Sequence, residues 1–93
     1  MKAYELLDSE SKWTQRVFAR DNTGSCTFVN DPKAVQWCLL GAIEKCYPRT
    51  HGKIVDQLWE ILGSNIRKSI TEWNDANDRT YEEVYELLKA NDI

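Results

Sequence analysis

A basic excess is missing from this chain: twelve Lys and Arg stand against fifteen Asp and Glu, a formal net charge of -3. A general nucleic-acid binder shows a basic stripe, so nucleic acid is not the expected partner. Histidine is nearly absent, His51 being alone, and two prolines and four glycines are too few for a linker or low-complexity tract. No stretch approaches the roughly 18 consecutive apolar residues of a membrane span, and Met1-Lys2-Ala3-Tyr4-Glu5 lacks a signal peptide's apolar region. No membrane partner is therefore expected. Cys26, Cys38 and Cys46 make an odd number, which suits free thiols in a reducing compartment rather than a disulfide framework. The expected location is cytoplasmic. At 93 residues the chain reads as one domain, 1–93, too short for the large enzyme folds.

Aromatic residues are plentiful by contrast. Four Trp, four Tyr and two Phe can build a modest core without metal or disulfide staples. Charge is also uneven. From Glu72 to Ile93 seven acids face two bases, a balance of -5, while residues 1–71 carry +2. Such asymmetry suits steering of a basic partner toward the C-terminal end, although a solvated helix face has the same pattern.

Ala3, Tyr4, Leu6 and Leu7 fall at helical spacing and predict a short first helix. Trp13 to Arg20 alternates like a strand, Asp21-Asn22-Thr23-Gly24 is turn chemistry, and Ser25 to Val29 can return, which predicts a hairpin over about 13–29. Asp31-Pro32 carries an N-cap and first-turn signal, so a central helix is expected over about 32–46, with Gly41 marking a close approach of another group. Ile54 to Leu62 repeats at three and four residues and stops at Gly63, and Ser64 can cap a fourth helix carrying Ile66, Ile70 and Trp73. Thr80 and Glu83 form a T-x-x-E capping box for a last helix. The expected class is α-rich α+β, with four or five helices around the 32–46 helix and one hairpin; an all-α bundle is the alternative.

Three blocks carry a resemblance. Trp37-Cys38-x-x-Gly41-Ala42, Trp73-Asn74-Asp75-x-x-x-Arg79-Thr80-x-x-Glu83-Val84, and upstream Trp13-Thr14-Gln15 with Ala19-Arg20-Asp21 before Gly24 resemble the signature blocks of a family of small bacterial and phage proteins of unknown function. The likeness covers nearly the whole chain and implies no activity and no cofactor. Asn30-Asp31-Pro32 and Thr50-His51-Gly52 lie outside it.

Candidate chemistry is thin. At Trp73-Asn74-Asp75 with Arg79, short polar side chains follow a large anchor where one helix ends and another begins. The structural reading comes first: Asn74 or Asp75 bonds free backbone groups, Asp75 pairs with Arg79, and Trp73 locks the turn. The alternative is a small polar pocket of Asn74, Asp75, Arg79 and His51 that binds a ligand or supports a small enzyme. A Cys38 nucleophile needs a basic neighbour that nothing in the sequence supplies. Cysteine and histidine separations of twelve, eight and five residues do not resemble a structural zinc site, and no metal or catalytic residue is assigned. Tyr47 and Tyr81 are the aromatics expected nearest the surface. A basic option, Arg16, Arg20, Lys33, Arg49, Lys53, Arg67 and Lys68 converging on nucleic acid, is weaker.

The expectation is thus a non-enzymatic protein-interaction module, monomer or homodimer, presenting Asp78, Tyr81, Glu82, Glu83 and Glu86 to a partner with a basic surface. Inhibition of a host defence complex is one such role that a phage-like family would accommodate. If the hairpin forms, its edge offers a route to pairing by strand addition.

Overall fold

A computed structural model describes residues 1–62 and 70–93. Among these residues are five helices, α1 (Ala3–Leu6), α2 (Leu39–Cys46), α3 (His51–Leu62), α4 (Ile70–Asp75) and α5 (Tyr81–Ala90), and a two-stranded antiparallel sheet of β1 (Ala19–Asp21) and β2 (Ala34–Trp37), with α2 packed against α1, α3, α4 and β2. The α-rich α+β class is as expected. Gly63, Ser64, Ile66, Arg67 and Lys68, on which a cap, part of the fourth helix and part of the basic option rested, lie outside the described residues.

Two boundaries differ from expectation, and for one reason. Ala34 to Trp37 extends as β2 instead of opening the central helix, pairing Ala19 with Trp37 and Arg20 with Gln36. Asp31 and Pro32 form a turn, not a helix start: Asp31 Oδ1 accepts from Lys33 N at 2.8 Å and Oδ2 from the Thr27 hydroxyl at 2.6 Å. Val35 and Trp37 suit a pleated surface, and the sheet bonds offered by β1 outweigh the local helix signal. The helix begins only when Cys38 caps it, its Sγ accepting from Gly41 N at 3.2 Å. The expected 13–29 hairpin survives in part. Its turn is formed, and Ser25 and Thr27 bond Asp21 and Ala19 around an isolated Arg20–Cys26 bridge. On the far side Trp37 accepts from Thr14 N at 3.1 Å, so both flanks of the β1–β2 pair are partly covered and the edge left open is the outer side of residues 25–27.

The core is one cluster in which Leu7, Leu39, Ile43, Leu58, Val84 and Leu88 are all fully buried. α5 enters it through its expected capping box, Thr80 N donating to Glu83 Oε1 at 3.0 Å and Glu83 N to Thr80 Oγ1 at 3.3 Å. Gly41 explains itself, because a Cβ there would collide with the Phe18 carbonyl. α2 and the strand entry therefore touch backbone to side-chain position, which only glycine permits.

Candidate functional site

Asn74 is fully buried at the end of α4 and gathers segments that are far apart in sequence. Its Oδ1 accepts from the Trp13 indole N–H at 2.7 Å and from Leu39 N, the first amide of α2, at 3.1 Å. Its Nδ2 donates to the Thr14 carbonyl at 3.2 Å and to Asp75 Oδ1 at 3.0 Å. Both ends of the amide are thus satisfied, as burial demands. Gln15 Nε2 adds bonds to the Asn74 and Ala76 carbonyls at 2.8 and 3.1 Å. Arg20 ties the first block to itself through Thr14 Oγ1, the Gly24 carbonyl and the Gln15 carbonyl. Arg20 is therefore committed inside the fold and is not a phosphate contact in waiting.

Asp75 and Arg79 come close to Asn74 but not to each other in the expected pairing. Asp75 Oδ1 accepts from Arg16 N at 2.8 Å, pinning Arg16 at φ 75°, a left-handed conformation rare outside glycine. Arg79 donates from Nε to the Trp73 carbonyl at 2.9 Å and from Nη1 to Glu83 at 2.8 Å, while its guanidinium lies 3.9 Å from the centre of the Trp73 ring. The ion pair went to Glu83 because the α5 capping box brings that carboxylate beside Arg79. His51 shares no hydrogen bond with this cluster; its Nδ1 lies 3.3 Å from the Pro48 carbonyl oxygen at the exposed start of α3.

The acidic surface sorts into engaged and outward groups. Glu83 is held by Thr80 N and Arg79, which keep its carboxyl below the usual range. Tyr81 is half-buried, its hydroxyl donating to the Leu7 carbonyl at 2.6 Å, and Tyr47 likewise bonds the Ile93 carbonyl at 2.8 Å. Both rings lie partly at the surface and lid the core. Asp78, Glu82 and Glu86 are exposed, Glu82 and Glu86 one turn apart on α5.

Cys26, Cys38 and Cys46 are free thiols. Cys38 Sγ caps α2, and burial pushes its thiol up to about 11, against two backbone N–H groups that lower it. Among the described residues no three His, Cys, Asp or Glu side chains are grouped to hold a metal ion, and no helix is long and apolar enough to cross a membrane.

Sequence reasoning missed a groove of about 690 Å³ between the Arg16–Phe18 loop, the 26–31 turn, Cys38 and one side of α4. Asp75 is the one residue of the expected polar pocket that lines it. The signal lay in Phe18 and Phe28, both assigned to strands and both exposed.

Neither a curated protein nor a solved structure matches the chain. A family model does match it over residues 1–91: the chain belongs to DUF6197, a family of unknown function.

Proposed function

We propose that this protein is a non-enzymatic protein-interaction module that offers Asp78, Glu82 and Glu86 to a partner with a basic surface. The observation that carries the reading is a division of labour among polar side chains. Asn74, Arg79, Glu83 and Cys38 are bonded within the fold, whereas these three carboxylates stand in solvent. Groups already occupied in holding helix ends have little capacity left for chemistry on a substrate. Exposed carboxylates act over distance on a Lys- or Arg-lined surface. A nucleic-acid-handling complex of the host, defence complexes included, has that kind of surface, and carboxylates at one-turn spacing resemble phosphates to it.

The alternative, a polar ligand pocket at Asn74, Asp75, Arg79 and His51, has less support, since Asn74 is saturated and His51 stands apart. The test compares proteins captured from the native host by the unaltered chain and by a variant carrying Asp78→Lys, Glu82→Lys and Glu86→Lys. Loss of a captured protein with a basic surface is expected. An unchanged set of captured proteins removes the acidic face from the account.

A further inference from the structure

The groove beside Asp75 has fixed walls. Phe28 is 85% exposed and Phe18 48% exposed, an arrangement that leaves two large apolar surfaces in water. Neither ring hangs from a slack loop. The turn under Phe28 is closed by Asp31 N to the Phe28 carbonyl at 3.1 Å and braced by the Thr27 and Lys33 bonds to Asp31. Opposite, Phe18 follows the left-handed Arg16, whose N–H is held by Asp75, and its own carbonyl accepts from Cys38 N at 3.1 Å. A surface ordered before its ligand arrives loses less freedom on binding. The volume also lies within the roughly 300–1,000 Å³ of ligand clefts.

Backbone and charge together choose the occupant. Ser25 and Thr27 spend their bonds on β1, so in an antiparallel pattern the N–H and carbonyl of Cys26 between them point away from it. Cys26 makes no hydrogen bond to any described residue through either group, and it lines the groove. An extended chain can bond such an unpaired edge and send alternate side chains into the groove. At the floor, Asp75 Oδ1 accepts from Arg16 N and Asn74, while Oδ2 accepts from no described residue. Arg16, the cation of the lining, reaches toward Asn77 Oδ1 at 3.4 Å.

We propose that this groove receives an extended protein segment in which a large apolar side chain is followed closely by Lys or Arg, the apolar group lying between Phe18 and Phe28 and the cation on Asp75 Oδ2. The proposal rests on the protein-partner reading above and adds to it a docking site and a sequence preference. Asp75 also belongs to the acidic C-terminal stretch, so a basic partner drawn by that stretch arrives at the open carboxylate oxygen.

The test applies fluorescently labelled full-length protein to an array of random synthetic octapeptides. Retained peptides are expected to carry a large apolar residue with Lys or Arg within two positions. Phe28→Ala, at an exposed side chain, should weaken the best of them about tenfold or more. Asp75→Asn keeps the shape and should remove the preference for the basic residue, with circular dichroism confirming the fold. A Glu82→Lys/Glu86→Lys variant should bind these short peptides within about twofold of the parent, because neither residue lines the groove. Retention that Phe28→Ala leaves intact, absence of any retained peptide, or retained peptides without a basic residue overturns the docking site. If Phe28→Ala instead splits a dimer in sedimentation, the occupant is a second copy and the proposal is wrong. Loss through Glu82→Lys/Glu86→Lys alone sinks the groove but leaves the interaction-module reading standing.

Discussion

Replacing Asn74 by Ala tests the central polar junction most severely. The substitution removes an acceptor shared by the Trp13 indole N–H and Leu39 N and a donor to the Thr14 carbonyl. Leu39 N is buried at the first turn of α2, where no helical carbonyl is available to it. Each stranded buried group costs about 1–3 kcal/mol, partly relieved where water can enter the space left. A total loss of about 3–6 kcal/mol follows, a large share of the roughly 5–15 kcal/mol that keeps a domain folded. Guanidinium unfolding followed by tryptophan fluorescence and far-ultraviolet dichroism measures it, with Trp13→Phe as the companion change. Trp13→Phe removes one N–H and leaves Asn74 Oδ1 bonded to Leu39, so its cost should be smaller. In the double variant the costs should fall short of additive by more than about 0.5 kcal/mol, because one bond is counted twice. A loss below about 1 kcal/mol for Asn74→Ala, or strict additivity with Trp13→Phe, would show that the junction is held by packing and not by this amide.

Helix propensity alone gives Gly41→Ala a gain of about 1 kcal/mol, but the collision with the Phe18 carbonyl should turn it into a loss of about 1–3 kcal/mol, read as a lower melting temperature. Alkylation by iodoacetamide at pH 8 with mass spectrometry should label exposed Cys26 first and leave Cys38, with its thiol near 11, untouched until denaturant is added; equal rates refute the cap assignment. Glu83 has its folded carboxyl below its ordinary value of 4.5 through the Thr80 amide and then Arg79, so its contribution is present above that value and fades as pH falls through the folded one. The stability difference between the parent and Glu83→Gln should accordingly shrink on acidification from pH 7 toward pH 3, and a constant difference contradicts the capping box.

Local signals were legible in the chain. The Thr80–Glu83 box, the Asp21–Gly24 turn and the close approach at Gly41 each depend on residues within a few positions or on one missing Cβ, and each is found where expected. Ala34 to Trp37 misled because its apolar spacing fits a helix as well as a strand, and the deciding partner, Ala19 to Asp21, is remote in sequence. The pairing of Arg79 was misassigned for a similar reason: Asp75 is four residues before it and Glu83 four after, and only the tertiary placement of Arg16 draws Asp75 away. Asn74 was singled out as a structural residue, but its partners at Trp13 and Leu39 were not readable from it. The groove was invisible for the strongest version of that reason, being formed by three loops and a helix side with no shared local pattern.

The position of Asn74 along the chain also bears on synthesis. During translation the segments holding Trp13 and Leu39 emerge well before residue 74, and until it arrives their N–H groups have no buried acceptor and must stay hydrated. A nascent chain stopped short of that point has every reason to remain open. The asparagine thus acts as a late keystone, tying Trp13 and Leu39 to α4 only after residue 74 has been made.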